Sequence, residues 1–245
     1  MNWIAPDWPA PGNVRALSTT RDGGTSEGVF AGLNLGAHVG DALARVEANR
    51  ARLQQVAGIP GTLNWLNQVH GIAVHPVSDR YERVPDADAA CAHEAGQACI
   101  VMTADCLPVL FCDRAGTVVA AAHAGWRGLQ GGVLEASIAA MGCEPGEILA
   151  WLGPAIGPAA FEVGGEVRDA FMAEQAEAAT AFVSSLNEGK WLADIYQLAR
   201  LRLARAGVTA IYGGEYCTFS DSERFYSYRR DGQTGRMASI IWLAR

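Results

Sequence analysis

The chain has 245 residues, of which 19 are basic and 26 acidic, so its formal net charge is -7, and half of its residues are hydrophobic. A chain of this length and composition can bury a large core without disulfides or metal staples, and it differs from the polar, highly charged composition of disordered proteins. Because the acidic balance offers no surface that would neutralise phosphates, we expect no nucleic acid as a partner.

Targeting and redox signals indicate a cytoplasmic protein. The first residues contain neither the basic nor the apolar region of a signal peptide. The longest apolar run, Ala98–Cys112, is interrupted by Asp105 and Pro108 and is shorter than the ~20 residues needed to cross a bilayer, so we expect no membrane partner. Six cysteines without a Cys-x-x-Cys pair indicate reduced thiols. We expect a monomer or a small homo-oligomer.

Hydrophobic periodicity predicts strands and helices along the whole chain. The first elements are a strand at Val14–Thr20, a polar glycine-rich loop at Arg21–Gly28, and a helix at Ala42–Ala57 with Asp41 as N-cap and Gly58 as its stop. The strands predicted next are Leu63–Val69, Ile72–Val77, Cys99–Thr103, Val109–Asp113 and Thr117–His123. Several of these are apolar on both faces, which is typical of strands covered by other layers.

The second half of the chain begins with a glycine cluster that introduces a helix ending near Met141. The elements predicted after it are a strand at Ile148–Leu152, helices near Glu166–Ala179 and Leu192–Ala206, and strands around Val208–Tyr212, Arg224–Tyr228 and Met237–Leu243. The chain contains no low-complexity linker and no repeat, and most strands are not separated by helices. The pattern therefore predicts one compact α+β domain over residues 1–245.

A predicted hairpin brings a cysteine and a histidine together. If a two-residue turn joins the strands on either side of Arg114 and Ala115, Cys106 lies directly opposite His123, with Cβ atoms about 4.5–5.5 Å apart. A longer loop would shift this register, because Arg-Ala is not the glycine-rich pair that such turns prefer. His70 supplies a third ligand, and three protein ligands leave a metal with an open position for chemistry.

The spacing of these three residues matches no zinc-finger pattern, so Cys106 as an ordinary buried thiol stays open. Asp105 interrupts an apolar strand, where a carboxylate either pairs structurally or acts as a general acid or base. Gln68 precedes His70 closely and is a candidate for orienting it. Arg127 lies at the start of a predicted helix, where an anion would be favoured.

Three blocks of the sequence closely resemble the signature blocks of the YfiH-like family. These are Asn67-Gln-Val-His-Gly71, Thr103-Ala-Asp-Cys-Leu-Pro-Val-Leu110 and Ala121-Ala-His-Ala-Gly-Trp-Arg-Gly128, with supporting blocks along essentially the whole chain, including Arg21–Ser26 and Tyr228–Arg236. That family was named a polyphenol oxidase or laccase domain and was later assigned purine nucleoside phosphorylase and adenosine deaminase activities. The resemblance implies a single α+β domain with two packed mixed β-sheets flanked by helices.

The resemblance also implies a zinc site formed by His70, Cys106 and His123. The activity it implies is phosphorolysis of adenosine, inosine, guanosine or methylthioadenosine to the free base and ribose 1-phosphate, together with deamination of adenosine. Purine nucleosides and phosphate are then the expected partners. We predict catalytic roles for Cys106 and Asp105. The candidate residues for binding substrate or phosphate are Arg21, Gln68, Arg127 and Arg229.

Three other interpretations stay open at this point. A single copper ion at the same ligands could give an oxidase, although five histidines are too few for the four coppers of a laccase. Alternatively, Cys106 could be a nucleophile with His123 as its base. Finally, zinc could be structural in a binding domain without turnover. His38, His75 and His93 are expected to be ordinary histidines, with His38, beside the glycine-rich loop, as the leading exception.

Overall fold

The computed structural model of the protein describes residues 1–78 and 83–244. Its strands form three sheets. A four-stranded antiparallel sheet has the order β1 (Trp3–Ile4), β2 (Val14–Thr19), β13 (Met237–Leu243), β5 (Ala98–Thr103). A six-stranded mixed sheet has the order β12 (Ala210–Gly213), β8 (Ile148–Leu152), β6 (Leu107–Asp113), β7 (Val119–Ala124), β4 (Ala89–Ala92), β3 (Val74–Pro76). A small sheet has the order β10 (Phe182–Ser184), β11 (Lys190–Ala193), β9 (Glu162–Gly164).

Helices cover the outer faces of the two large sheets. They are α1 (Leu43–Ala57), α2 (Trp126–Gly131), α3 (Val133–Met141), α4 (Gly165–Glu174), α5 (Ile195–Arg205) and α6 (Tyr228–Asp231). Leu53 of α1 packs on the four-stranded sheet, while Leu134 of α3 and Leu203 of α5 pack on the six-stranded sheet. None of the helices in the described ranges is long and apolar enough to cross a bilayer.

Strand β13 shows why these strands are apolar on both faces. Side chains alternate across a strand, so Ile240 and Trp242 face the layer of α1, whereas Ile241 and Leu243 face the six-stranded sheet. Both sets are buried. The layers are therefore helix, sheet, sheet, helix, and the predicted α+β class with two packed sheets is confirmed. The structure adds the small third sheet, and the four-stranded sheet is antiparallel rather than mixed.

The register of the β6–β7 hairpin is two residues away from the predicted one. Pro108, not Cys106, pairs with His123. The loop is longer because the Asp113 carboxylate accepts hydrogen bonds from the backbone N–H of Thr117 (2.7 Å), from its hydroxyl (2.6 Å) and from the N–H of Val118 (3.1 Å). Since side chains alternate with a period of two, this shift keeps Cys106 on the predicted face, now diagonal to His123.

Helix boundaries follow glycine and side-chain caps more closely than the hydrophobic pattern. Helix α1 ends at Gly58, the predicted stop, whose φ of 62° is left-handed, but its N-cap is Ala42 rather than Asp41. Gly132, with φ 103°, breaks the single predicted helix after the glycine cluster into α2 and α3. Asp194 caps α5 by accepting a hydrogen bond from the N–H of Gln197, so the helix begins later than predicted.

Two predicted strands are wrong. In the first, at Leu63–Val69, the only pairing within the described residues is a bridge between Asn67 and Asp86. The second, Arg224–Tyr228, is irregular chain that leads into α6, whose N-cap is Ser227. Both segments carry apolar residues for packing rather than for pairing in a sheet, which hydrophobic pattern alone does not distinguish.

The Asp113 contacts predict a measurable contribution to stability. We expect Asp113→Ala to lower the free energy of unfolding by about 1–3 kcal/mol, because two backbone N–H groups lose their acceptor. The measurement is urea unfolding of the variant beside Arg114→Ala, a matched control at an exposed position of the same turn. Equal stability of the two variants would show that the carboxylate does not hold the loop.

Candidate active site and metal centre

A buried carboxylate holds the turn that carries His70. Asp88 precedes β4 and accepts hydrogen bonds from the backbone N–H groups of Val69 (3.1 Å), His70 (2.9 Å) and Gly71 (2.7 Å). These bonds fix His70 in the left-handed region, with φ 62°. Such a conformation is costly for a residue other than glycine and persists only where the surroundings impose it. The exposed imidazole of His70 is thereby directed from a rigid backbone.

The same carboxylate orients His123 on β7. The Nδ1 of His123 donates to Asp88 Oδ1 at 2.8 Å, and the ring is buried. A histidine that donates one ring N–H to a carboxylate has its tautomer and its orientation fixed, with the other nitrogen free as a ligand. Asp88 thus sets both histidines at once, one through the backbone and one through the side chain.

Cys106 completes the cluster at the start of β6. It follows Asp105, which has a left-handed φ of 93° and so turns the chain toward the histidines. Cys106 Sγ lies 4.0 Å from His70 Nε2, and one ligand atom from each of His70, Cys106 and His123 lies within 4.8 Å of the others. One thiolate and two imidazoles are donors typical of zinc or copper sites.

Gly125 leaves the space that this cluster needs. A Cβ atom at position 125 would lie 2.9 Å from Cδ2 of His70 and 3.0 Å from Sγ of Cys106. Both distances are closer than van der Waals contact allows. The absence of a side chain at Gly125 therefore keeps the three donors free to converge on one ion, and the residues present fit a metal.

Cys106 and His123 shift the pKa values of each other. Burial by itself would raise the pKa of the Cys106 thiol, but the charge of His123 and hydrogen bonds from His123 and His70 lower it to about 6. Burial would lower the pKa of His123, but the Cys106 thiolate and the hydrogen bond to Asp88 raise it to about 9. The pair is thus a thiolate and an imidazolium at neutral pH in the absence of a metal.

Two cavities adjoin the cluster, and they share His70, Ala104, Cys106 and Tyr228. The apolar cavity, of about 250 Å³, is further lined by Asp105, Trp126, Arg127, Ile156, Phe161, Ile195 and Arg229. The polar cavity, of about 420 Å³, is further lined by His38, Gln68, Met102, Thr103, His123 and Arg236. The cluster is therefore accessible from two chemically different sides.

The structure gives Asp105 a positioning contact. Its Oδ1 accepts a hydrogen bond from the hydroxyl of Thr218 and its Oδ2 accepts one from the backbone N–H of Arg229, both at 2.7 Å. The carboxylate thereby anchors the first turn of α6 beside the apolar cavity that it lines. The structural alternative for Asp105 accounts for its burial, and an acid–base role stays a prediction.

The four residues predicted to bind substrate or phosphate have different surroundings. Arg127 and Arg229 line the apolar cavity, Arg127 above the ring of Trp126. Gln68 lines the polar cavity, but its amide is engaged by both the N–H and the carbonyl of Met102. Arg21 lines neither cavity.

Arg21 is engaged with the protein itself, and its contact with phosphate stays a prediction. Its guanidinium donates to the carbonyl oxygens of Ser222 and Ala31 and lies 4.8 Å from the ring centroid of Tyr226. The group thus ties the glycine-rich loop to the segment before α6. A loop that is polar and glycine-rich in sequence has a structural role here.

Three residues of the site were missed in the sequence. Asp88 directly precedes an apolar run, and a carboxylate at that position was a usable signal. Tyr228 and Arg236 belong to a block that supports the family resemblance, but nothing in its pattern indicates which side chains reach the site. His38, the leading exception among the other histidines, lines the polar cavity, whereas His75 and His93 line neither cavity.

Comparisons with known proteins agree with this geometry. The family model described as multi-copper polyphenol oxidoreductase laccase matches residues 15–244. A purine nucleoside phosphorylase of Pseudomonas aeruginosa is 60% identical over 241 residues, 98% of each chain. The purine nucleoside phosphorylase YfiH of Escherichia coli is 57% identical over 240 residues, also 98% of each chain.

Solved structures show the same fold. The crystal structure of a Neisseria meningitidis protein covers all of both chains with a TM-score of 0.95 and 56% identity. That of YlmD from Geobacillus stearothermophilus covers 100% of this chain and 97% of its own, with a TM-score of 0.94 and 33% identity. By sequence and by fold, the chain belongs to the YfiH-like family of laccase-domain proteins.

Proposed function

We propose that this protein is a zinc-dependent purine nucleoside phosphorylase that also deaminates adenosine. The observation that carries the proposal is a His70, Cys106 and His123 cluster that is reachable from two cavities, one for each of two reactants. The names of the similar proteins from Pseudomonas aeruginosa and Escherichia coli support the phosphorylase activity. The whole chain, residues 1–245, acts as one domain in the cytoplasm, where reducing conditions keep the Cys106 thiol available.

Phosphorolysis exchanges one bond at the ribose for another. A phosphate oxygen forms a bond to C1′, the bond from C1′ to the purine nitrogen breaks, and its electron pair leaves with the base. The proton of monohydrogen phosphate matches the one that the departing base gains, so the products are the neutral purine and ribose 1-phosphate. The enzyme must therefore hold an anion and an aromatic base on opposite sides of one carbon.

Residues of this chain are placed to orient the two reactants. The Trp126 and Phe161 rings offer a stacking surface for the base in the apolar cavity. Arg127 and Arg229 line the same cavity and contact the substrate from its edge. The Asp105 carboxylate accepts a hydrogen bond from the backbone N–H of Arg229. The same carboxylate is the candidate for transferring a proton to or from the purine base.

Deamination of adenosine uses the same cluster without phosphate. A water oxygen bonds to C6 of the base, the bond to the amino nitrogen breaks, and ammonia leaves with inosine as the other product. Zinc, when bound by the three ligands, supplies Lewis-acid polarisation of a water or of a substrate oxygen. The side chains of the apolar cavity hold the base so that its edge faces the cluster.

A copper-dependent polyphenol oxidase is the second candidate function. The description of the matching family model favours it, and sites of this donor type bind copper more tightly than zinc. The ligands for four coppers are not assembled here, because His75 and His93 lie outside both cavities. Oxidation of a phenol would then need one copper at the His70, Cys106 and His123 ligands.

The central test is the fate of adenosine with and without phosphate. We expect the metal-loaded protein to release adenine only with phosphate, and to release inosine in both cases. A chelator that removes the metal should lower the rates of phosphorolysis and deamination by about 100-fold or more. Cys106→Ala should do the same, because it removes one of the three side chains that would hold the metal. Liquid chromatography of the products measures this, with Cys143→Ala as the control thiol variant.

Each other outcome identifies a different function. Activity that resists the chelator but is lost in Cys106→Ala indicates a thiol nucleophile. Bound metal without turnover of any nucleoside indicates a non-catalytic domain, and oxidation of catechols by copper-loaded protein alone indicates the oxidase.

The lowered pKa of Cys106 predicts its reactivity in metal-free protein. Above a pH of about 6 the thiol is a thiolate, so iodoacetamide should modify it readily at pH 7, and the rate should fall as the pH drops through 6. Bound metal should protect it. Peptide mass spectrometry across pH gives the midpoint. In His123→Ala the midpoint should rise toward that of an ordinary thiol, and a native midpoint near 8.5 would contradict the prediction.

A side chain at position 125 should disrupt the cluster. We expect Gly125→Ala to weaken zinc binding by about tenfold or more, because its Cβ would meet two of the three ligands. Gly146→Ala is the matched control, since no atom lies within 4 Å of a Cβ there. Competition with a zinc indicator measures both affinities, and equal affinities would mean that the donors do not converge beside Gly125.

A further inference from the structure

The polar cavity contains a cation that has no acidic partner. Arg236 is half-buried, and its Nη1 donates to the carbonyl oxygens of Thr234 and Gly235 at 3.0 Å each. Within the described ranges it forms no ion pair. Withdrawing a guanidinium from water without a contacting anion is unfavourable unless a ligand supplies the charge. The side of the cluster where it lies therefore suits an anion.

The position of Arg236 is fixed by the loop that carries His38. Its backbone N–H donates to Asn34 Oδ1 at 2.9 Å, and its carbonyl oxygen accepts a hydrogen bond from the N–H of Leu35 at 3.2 Å. The aliphatic stem lies close against Gly36, where a Cβ atom would come within 2.8 Å of Arg236 Cγ. The guanidinium is thus held in place before any ligand binds, which lowers the entropic cost of binding.

The charge of Arg236 keeps the neighbouring His38 ring in its neutral form. Partial burial lowers the pKa of His38, and the charges of Arg236 and Arg50 lower it further. No carboxylate is among the described residues that line the polar cavity. The charges of Cys106, a proposed metal ligand in this lining, and of Asp105, which lines the apolar cavity instead, both reach Arg236. Arg236 thus faces the polar cavity with no carboxylate beside it, which suits an anion.

An unpaired hydroxyl lies near Arg236 and His38. Thr234 is 1% exposed, and its Oγ1 has no hydrogen-bond partner in the described part of the chain. It lines a further cavity that also touches His38, Tyr228 and Arg236. A buried hydroxyl without a protein partner is unusual. It belongs to the wall of that further cavity, next to the polar cavity.

We infer that inorganic phosphate binds in the polar cavity, held by Arg236 and His38, while the purine base occupies the apolar cavity. The inference rests on the proposed phosphorolysis, which requires phosphate and base on opposite sides of C1′. Arg236 supplies charge-assisted hydrogen bonds through its free nitrogens, and His38 supplies a ring N–H. The ribose then lies beside Tyr228 and the cluster, which both cavities share. Arg127 and Arg229 face the nucleoside rather than the phosphate.

The test separates the Michaelis constants of the two substrates. Arg236→Lys keeps the stem and the charge but removes the fork, and His38→Asn keeps a donor without the ring. Each should raise KM for phosphate about tenfold or more and leave KM for the nucleoside within about twofold. Arg127→Gln and Arg229→Gln should raise KM for the nucleoside instead. Arg52→Gln, at an exposed position on α1, is the matched control for loss of an arginine.

Direct binding of inorganic phosphate gives a readout independent of turnover. Isothermal titration of native protein should detect phosphate, and Arg236→Lys should weaken the binding about tenfold or more, with circular dichroism reporting that the fold is retained. If native protein binds phosphate through Arg236 but releases no base, the proposed function fails and the phosphate site stands. If phosphate binding or its KM depends on Arg127 or Arg229 and not on Arg236, the assignment is overturned.

Discussion

The carboxylate of Asp88 is the constraint on which the site depends. It is completely buried, and it accepts hydrogen bonds from three consecutive backbone N–H groups and from His123. Burial raises the pKa of a carboxyl group, but the bonds from His123, Gly71 and His70 outweigh it and lower the pKa of Asp88. One charge therefore joins a turn to a strand and fixes the distance between two histidines. Without this carboxylate, neither the backbone of His70 nor the ring of His123 would be held in the orientation that faces Cys106.

Backbone strain is concentrated at this same place. Within the described ranges, His70 and Asp105 are the residues other than glycine with a left-handed φ. His70 belongs to the cluster and Asp105 precedes its cysteine, and both are held there by hydrogen bonds from elsewhere in the fold, Asp105 through Thr218 and Arg229. Strain of this kind persists only where surrounding structure imposes it, and it is frequent at functional sites. The fold thus stabilises an arrangement that the local sequence disfavours.

Hydrophobic pattern predicted the buried strands well and the irregular segments poorly. The strands at Ile148–Leu152 and Met237–Leu243 were predicted with the bounds they have, because a strand covered on both faces is apolar at every position. The hairpin register was not, because it depends on hydrogen bonds from the Asp113 side chain. The irregular segment at Leu63–Val69 has the composition of a strand, but its pairing within the described residues is limited to one bridge. Burial is thus readable from sequence, whereas the pairing of backbone groups is not.

The sequence by itself determined the α+β class, the three ligand types and the blocks that carry them. Each of these is encoded locally, in periodicity or in residues close together along the chain. Only the tertiary structure decided that Asp88 orients two histidines, that Arg21 contacts the segment before the last helix, and that His38 and Arg236 line the same polar cavity. The reason is that these contacts join segments far apart in sequence. Their meeting depends on how the sheets, loops and helices pack, and no local pattern records it.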